Sequence, residues 1–248
     1  MKFSKKKLWF LIFFLGFLGI LSIFTVDFHL EKIIPAEKLA GFEKWQMSLL
    51  LMINPTILLT IATTVGVILY DKMGLKLPIF EKILGKNEPK TNWKKSILIG
   101  VGAGIFAGFF IHFFSILMAP HLPEVLFANN EMPVISRIFY GGILEEILIR
   151  FGSMTLLAWI FYKIFKKKNI WIFGSAIIIS SLVFGIGHLP MMKLLVGELS
   201  MIIIFYTIFG NFIPGLIFGY LYYKNGLEIV MIAHIVTHMI LISMIGLN

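Results

Sequence analysis

Apolar residues along this chain gather into seven long runs, at about 8–26, 47–70, 96–118, 134–165, 169–188, 198–222 and 227–246, separated by short polar connections. A bilayer's hydrocarbon core of about 30 Å takes roughly 20 residues of helix, and a backbone in lipid has to satisfy its own hydrogen bonds. The pattern therefore predicts an all-α polytopic transmembrane helix bundle of about seven to eight helices. The first run follows Lys2, Lys5, Lys6 and Lys7 as a secretory leader would, but no small-residue cleavage site comes after it, so it is read as a retained helix. Residues 71–95 form the only sizeable polar connection, amphipathic at best, and a single membrane domain over 1–248 is expected.

Composition agrees with that setting: 58% hydrophobic, 15% aromatic and 14% charged residues, with a mean hydropathy of +0.92, lie far from soluble averages. The absence of cysteine removes structural disulfides, thiol nucleophiles and cysteine-ligated metals. A net charge of +9 could mark a nucleic-acid binder, yet the lysines sit beside the apolar runs and not on a polar domain, so no nucleic-acid partner is expected. They serve better as topology signals. The N-terminus, residues 71–95 and Lys163, Lys166, Lys167 and Lys168 are basic, whereas 27–46 and 119–132 are acidic or mixed. The positive-inside rule then puts the N-terminus in the cytoplasm of, by expectation, a bacterial plasma membrane.

Ionisable residues inside an apolar run are costly and hence suspected of function. The fourth run holds Glu145, Glu146 and Arg150 and, at about 1.5 Å per residue, exceeds the hydrocarbon thickness, so it is expected to tilt, kink or protrude. Gly141, Gly142 and Gly152 flank the carboxylates and suggest a bend or the close approach of another helix there. Gly100, Gly104 and Gly108, and likewise Gly215 and Gly219, are spaced four apart and are read as helix-packing positions. Glu146 and Arg150 stand four apart in the favourable order for an ion pair. Glu145 points about 100° away around an α-helix and needs another partner. Arg137, two turns earlier, is expected to snorkel.

Three histidines supply candidate partners. His234 and His238 share a helix face, and His188 ends the fifth run just before Pro190. His29, His112 and His121 are read as packing or interfacial residues. A glutamate with histidines can deliver a proton acceptor and oxyanion donors to water in a dry site. Other intramembrane solutions are absent: Asp27 and Asp71 are the only aspartates and both lie at helix ends, and neither His-Glu-x-x-His nor Gly-x-Ser-x-Gly occurs.

Residues 140–240, with Glu145-Glu146-x-x-x-Arg150, Phe184-x-x-x-His188 and His234-x-x-x-His238 in that order, resemble the CPBP intramembrane protease family. That family includes the type II CAAX prenyl endopeptidases and the Abi, bacteriocin-immunity-type proteins. The likeness covers roughly 131–246 as the catalytic helices, while residues 1–130 carry no signature. It implies an intramembrane endopeptidase acting on a membrane-associated or lipidated peptide or protein. Glu145 with His188 would activate water, His234 and His238 would stabilise the oxyanion, and Glu146 and Arg150 would orient the site. His238 stands where the prenyl endopeptidases have asparagine. This leaves zinc as a possible cofactor, since Glu145, His188, His234 and His238 also make a tetrahedral set; a closed four-ligand site leaves no position for water, so metal-independent hydrolysis is the favoured reading. A peptide, leader or membrane-protein substrate is expected in place of a prenylated one. The rival readings are a non-catalytic immunity or receptor protein and, with no inverted repeat to support it, a proton-coupled transporter.

Overall fold

Each long apolar run becomes a helix because, without water, only intrasegment hydrogen bonds satisfy the backbone. The structure, a computed structural model, describes residues 3–26, 43–86, 92–127 and 132–245; Asp27 and His29 lie outside them. Among the described residues there are seven helices long and apolar enough to span a bilayer. They comprise α1 (Lys5–Leu21), α2 (Lys44–Leu69), α4 (Trp93–Met118), α5 (Val134–Phe165), α6 (Ile170–Gly187), α8 (Met201–Asn225) and α9 (Leu227–Ile245). Two shorter helices, α3 (Pro78–Ile83) and α7 (Leu189–Val196), join them. Leu98, Leu117, Trp171 and Met201 are among the large apolar side chains on the outer surface. That surface faces acyl chains.

The centre of the bundle is α5, which packs against α1, α2, α6 and α9. Its contacts are made close by glycine. A side chain at Gly16 or Gly19 of α1 would run into Leu59 and Ile147, or into the Phe139 carbonyl and Leu144. Gly66 of α2 receives the Phe151 ring, and Gly152 of α5 lies on Ala62. The two helices without a sequence signature thus hold one flank of α5. One continuous apolar cluster runs from Leu8, Ile12 and Leu59 through Leu144, Ile147 and Phe151 to Phe218 and Val230.

Glycines spaced four apart make the remaining seams. Gly100, Gly104 and Gly108 of α4 lie against Ile229, the Ala233 carbonyl with Val236, and Ile240 of α9. The Thr237 hydroxyl crosses this seam to donate to the Gly104 carbonyl at 3.0 Å. Gly215 and Gly219 of α8 meet Ser181 and Ile177 of α6.

The connection after α2 is more structured than its polarity suggests. Met73, Leu75, Leu77, Phe80 and Leu84 are buried in the main cluster, with α3 held under the bundle by Glu228, whose Oε1 accepts from the Phe80 N–H at 2.8 Å. Glu81 accepts from the Tyr70 hydroxyl at 2.6 Å and pairs with Lys86. Lys5 pairs with Asp71 at 2.8 Å, and Lys168 donates to the Lys72 carbonyl. The basic segments therefore meet at one end of the molecule.

Candidate active site

The fourth span solves its excess length by winding more widely. Arg137–Glu145 and Ile147–Met154 are π-helical, so each turn takes i→i+5 hydrogen bonds and advances less per residue than an α-helix. The α-helical phase angle between Glu145 and Glu146 assumed from sequence does not apply to this backbone. The same winding puts the Arg150 carbonyl within reach of the Thr155 hydroxyl at 3.2 Å, and Thr155 in turn meets the Tyr222 hydroxyl of α8 at 3.0 Å.

The two adjacent glutamates have different surroundings. Glu146 is 0% exposed; its Oε2 accepts from Arg150 Nε at 3.2 Å, the ion pair expected from their spacing, and its Oε1 accepts from His234 Nδ1 at 2.8 Å. Glu145 is 20% exposed and, among the described residues, makes no hydrogen bond; His234 Nε2 lies 4.0 Å from its Oε2. His188 and His234 both lie within electrostatic reach of Glu145. Glu146 therefore fixes His234 by one nitrogen and leaves the other turned toward Glu145.

His188 sits at the break between α6 and α7. Its Nδ1 lies 2.8 Å from the Phe184 carbonyl. A carbonyl only accepts, so Nδ1 carries the proton and a neutral ring keeps its lone pair on Nε2. The ring of Phe184 packs edge-on to His188 with centroids 4.7 Å apart and lies 5.4 Å from the Arg150 guanidinium. One residue thus sets the histidine's tautomer and walls the site. His238 stacks on His234 at 4.9 Å. Both of its ring nitrogens are buried with no hydrogen-bond partner among the described residues, as are the Arg150 Nη1 and Nη2 atoms. Buried donors and acceptors in that condition are rare and call for an explanation.

The structure brings Glu145, Glu146, Arg150, His188, His234 and His238 into one cluster where α5, α6 and α9 meet. His112 and His121 stay outside it: His112 packs edge-on to Phe113 and His121 is exposed. The expectation for Arg137 has to be corrected. It does not snorkel but is 9% exposed, with Nε donating to the Met132 carbonyl at 3.0 Å, a partner that offsets part of the cost of burying its charge. Sequence reasoning passed over the Phe184 carbonyl, which no side-chain pattern reveals. It noted Gly141 only as a bend or close-approach signal. In the structure His238 Nε2 occupies the space that a side chain at Gly141 would take, and Ile235 does the same at Gly142.

Among the described residues no three His, Asp or Glu side chains converge in a way that could hold a metal ion. Within the set Glu145, His188, His234 and His238, the first two imidazoles give Nδ1 to protein acceptors and keep Nε2 for a ligand, but Nε2 of His238 faces the α5 backbone at Gly141, so the four do not converge on one point as arranged.

Against known proteins, residues 127–240 match a family model described as Rce1-like, type II CAAX prenyl endopeptidase Rce1-like. No curated protein and no solved structure matches the chain.

Proposed function

We propose, from the premise that residues 127–240 make this chain a member of the CPBP intramembrane protease family, that it hydrolyses peptide bonds of a membrane-associated or lipidated peptide or protein by metal-independent water activation. The observation that carries the reading is the asymmetry of the glutamate pair: Glu146 is consumed by Arg150 and His234, while Glu145 faces the histidines with its oxygens uncommitted.

In this mechanism a water bound between Glu145 and the lone pair on His188 Nε2 gives its proton to the Glu145 carboxylate, and its oxygen attacks the scissile carbonyl carbon. The carbonyl oxygen takes up the negative charge beside His234 and His238: His238, with neither ring nitrogen partnered among the described residues, has one N–H to donate, and His234, whose Nδ1–H is given to Glu146, donates from Nε2 as the imidazolium. Collapse of the tetrahedral intermediate breaks the C–N bond, and the proton held on Glu145 passes to the departing amine. Glu146 and Arg150 touch no reacting atom; they hold His234 in place. Lysine placement supports a cytoplasmic basic end for the bundle.

The test is incubation of purified protein with a panel of farnesylated, acylated and unmodified membrane peptides, with the cut located by mass spectrometry and metal quantified in the same sample. The expected result is cleavage by wild type that survives chelation and is lost in Glu145→Gln at unchanged membrane abundance. Cleavage undiminished in Glu145→Gln would reject the mechanism, and stoichiometric metal whose removal abolishes cleavage would reject its metal independence.

A further inference from the structure

The flank formed by α4 and α8 carries a groove of about 590 Å³ that contains none of the residues considered so far. Its walls are apolar, Ile99 and Ala103 from α4 and Ile217 and Tyr220 from α8, and Lys224 closes one end. The volume lies within the roughly 300–1,000 Å³ of sites that hold small ligands. Ile99 and Tyr220 are exposed, so the groove opens on the outer surface of the bundle.

Both walls have the same order along the membrane normal. On α4, Lys95, Ile99 and Ala103 stand four apart on one face, and on α8, Ile217, Tyr220 and Lys224, three and four apart, share a face as well. Each stripe ends in an exposed lysine. The two lysines lie at one end of the bundle, because Lys224 precedes the turn in which Gly226 abuts Pro78 and the Lys76 carbonyl, and Lys82 of α3 reaches the ring of Trp93 two residues before Lys95. Among the described residues no carboxylate pairs with Lys95 or Lys224. Lys224 instead lies over the rings of Tyr223 and Tyr220, at 4.5 and 5.9 Å, an aromatic-and-lysine arrangement suited to the headgroup level. From Lys95 to Ala103 the wall runs about 12 Å, close to the half-thickness of a core of about 30 Å.

We propose that this groove is a binding site for one anionic glycerophospholipid of the leaflet at the basic end, with an acyl chain between α4 and α8 and the phosphate between Lys95 and Lys224. Charge complementarity selects this occupant. The apolar walls would accept any chain, but two ammonium groups at a single end, neither paired with a carboxylate among the described residues, favour an anionic headgroup over a zwitterionic one. The site is separate from the candidate active site, so its occupancy does not depend on cleavage.

Full-length protein is reconstituted into phosphatidylcholine vesicles containing a trace of phosphatidylglycerol with a photoactivatable acyl chain, and labelled residues are mapped by mass spectrometry. Labelling should concentrate on 99–103 and 217–220, fall with excess unlabelled phosphatidylglycerol and resist excess phosphatidylcholine. Lys95→Gln and Lys224→Gln, both exposed changes, should each reduce it roughly fivefold, and Ala103→Trp should abolish it by filling the groove. Melting of each variant, measured in parallel, separates loss of the site from loss of the fold. Equal labelling by a phosphatidylcholine probe, labelling spread over all lipid-facing helices, insensitivity of folded variants to the substitutions, or cross-linking of the groove to a second copy of the chain would each overturn the proposal.

Discussion

At the basic end of the bundle, buried Glu81 takes both the Tyr70 hydroxyl and the Lys86 ammonium, and buried Glu228 takes the Phe80 N–H while leaving one oxygen unpaired. At the meeting of α5, α6 and α9 the balance is reversed. One glutamate binds Arg150 and His234, its neighbour makes no hydrogen bond among the described residues, and four nitrogen atoms of Arg150 and His238 are buried with no partner among them. An unsatisfied buried polar group costs about 1–3 kcal/mol. The first cluster is what closing a polar connection against an apolar bundle requires. The second carries more unpaired capacity than structure alone justifies, which is where a reacting group would complete it.

Substitutions that treat the two clusters alike should separate them. The largest effect is expected from Glu145→Gln, which should lower cleavage by about 10²–10⁴-fold, the usual range for a general base, with no loss of melting temperature; a parallel fall in melting would make Glu145 a structural acid like Glu81. Arg150→Met should act in the opposite way, destabilising by about 3–5 kcal/mol because it strands a buried charge on Glu146. Pairing it with Glu146→Gln should restore most of that stability, seen by detergent unfolding, but not cleavage. Gly141→Ala should displace His238 and cost up to about 100-fold in kcat, the scale of an ångström-sized misplacement, with KM little changed; wild-type turnover would show that His238 need not lie against α5. Smallest is Tyr70→Phe at the basic end, which should cost about 0.5–1.5 kcal/mol of stability and leave kcat untouched.

Much of this contrast could be read in the chain itself. Each of the seven apolar runs falls within a few residues of a helix, because lipid leaves the backbone no alternative. The Glu146–Arg150 pair followed from spacing, since i and i+4 remain neighbours even in the wider winding. The winding itself is not legible, because the hydrophobic pattern reports which residues avoid water and not how many complete a turn, and the burial of Arg137 is hidden because its partner is a backbone carbonyl. The docking of 73–84 was missed for a related reason: lysines and a proline among Leu75, Leu77, Phe80 and Leu84 mask a half-buried segment whose partner, Glu228, is more than 140 residues away. That the family match and the three motifs both fall in the C-terminal half leaves α1 and α2 silent in sequence, yet their glycines and apolar faces clamp α5.

The glycine seam between α4 and α9 ties function to register. His234 and His238 project from a helix whose opposite side is keyed, backbone to backbone, at Gly100, Gly104 and Gly108. One extra residue between Leu227 and His234 would turn everything beyond it by about 100°. Either the start of α9 would stay docked through Glu228 and both imidazoles would swing away from the site with the residues seated at Gly108, or those would stay put and the start of the helix would be turned out of its place. A helix indexed in this way tolerates exchange of its outward residues but not a change in its count.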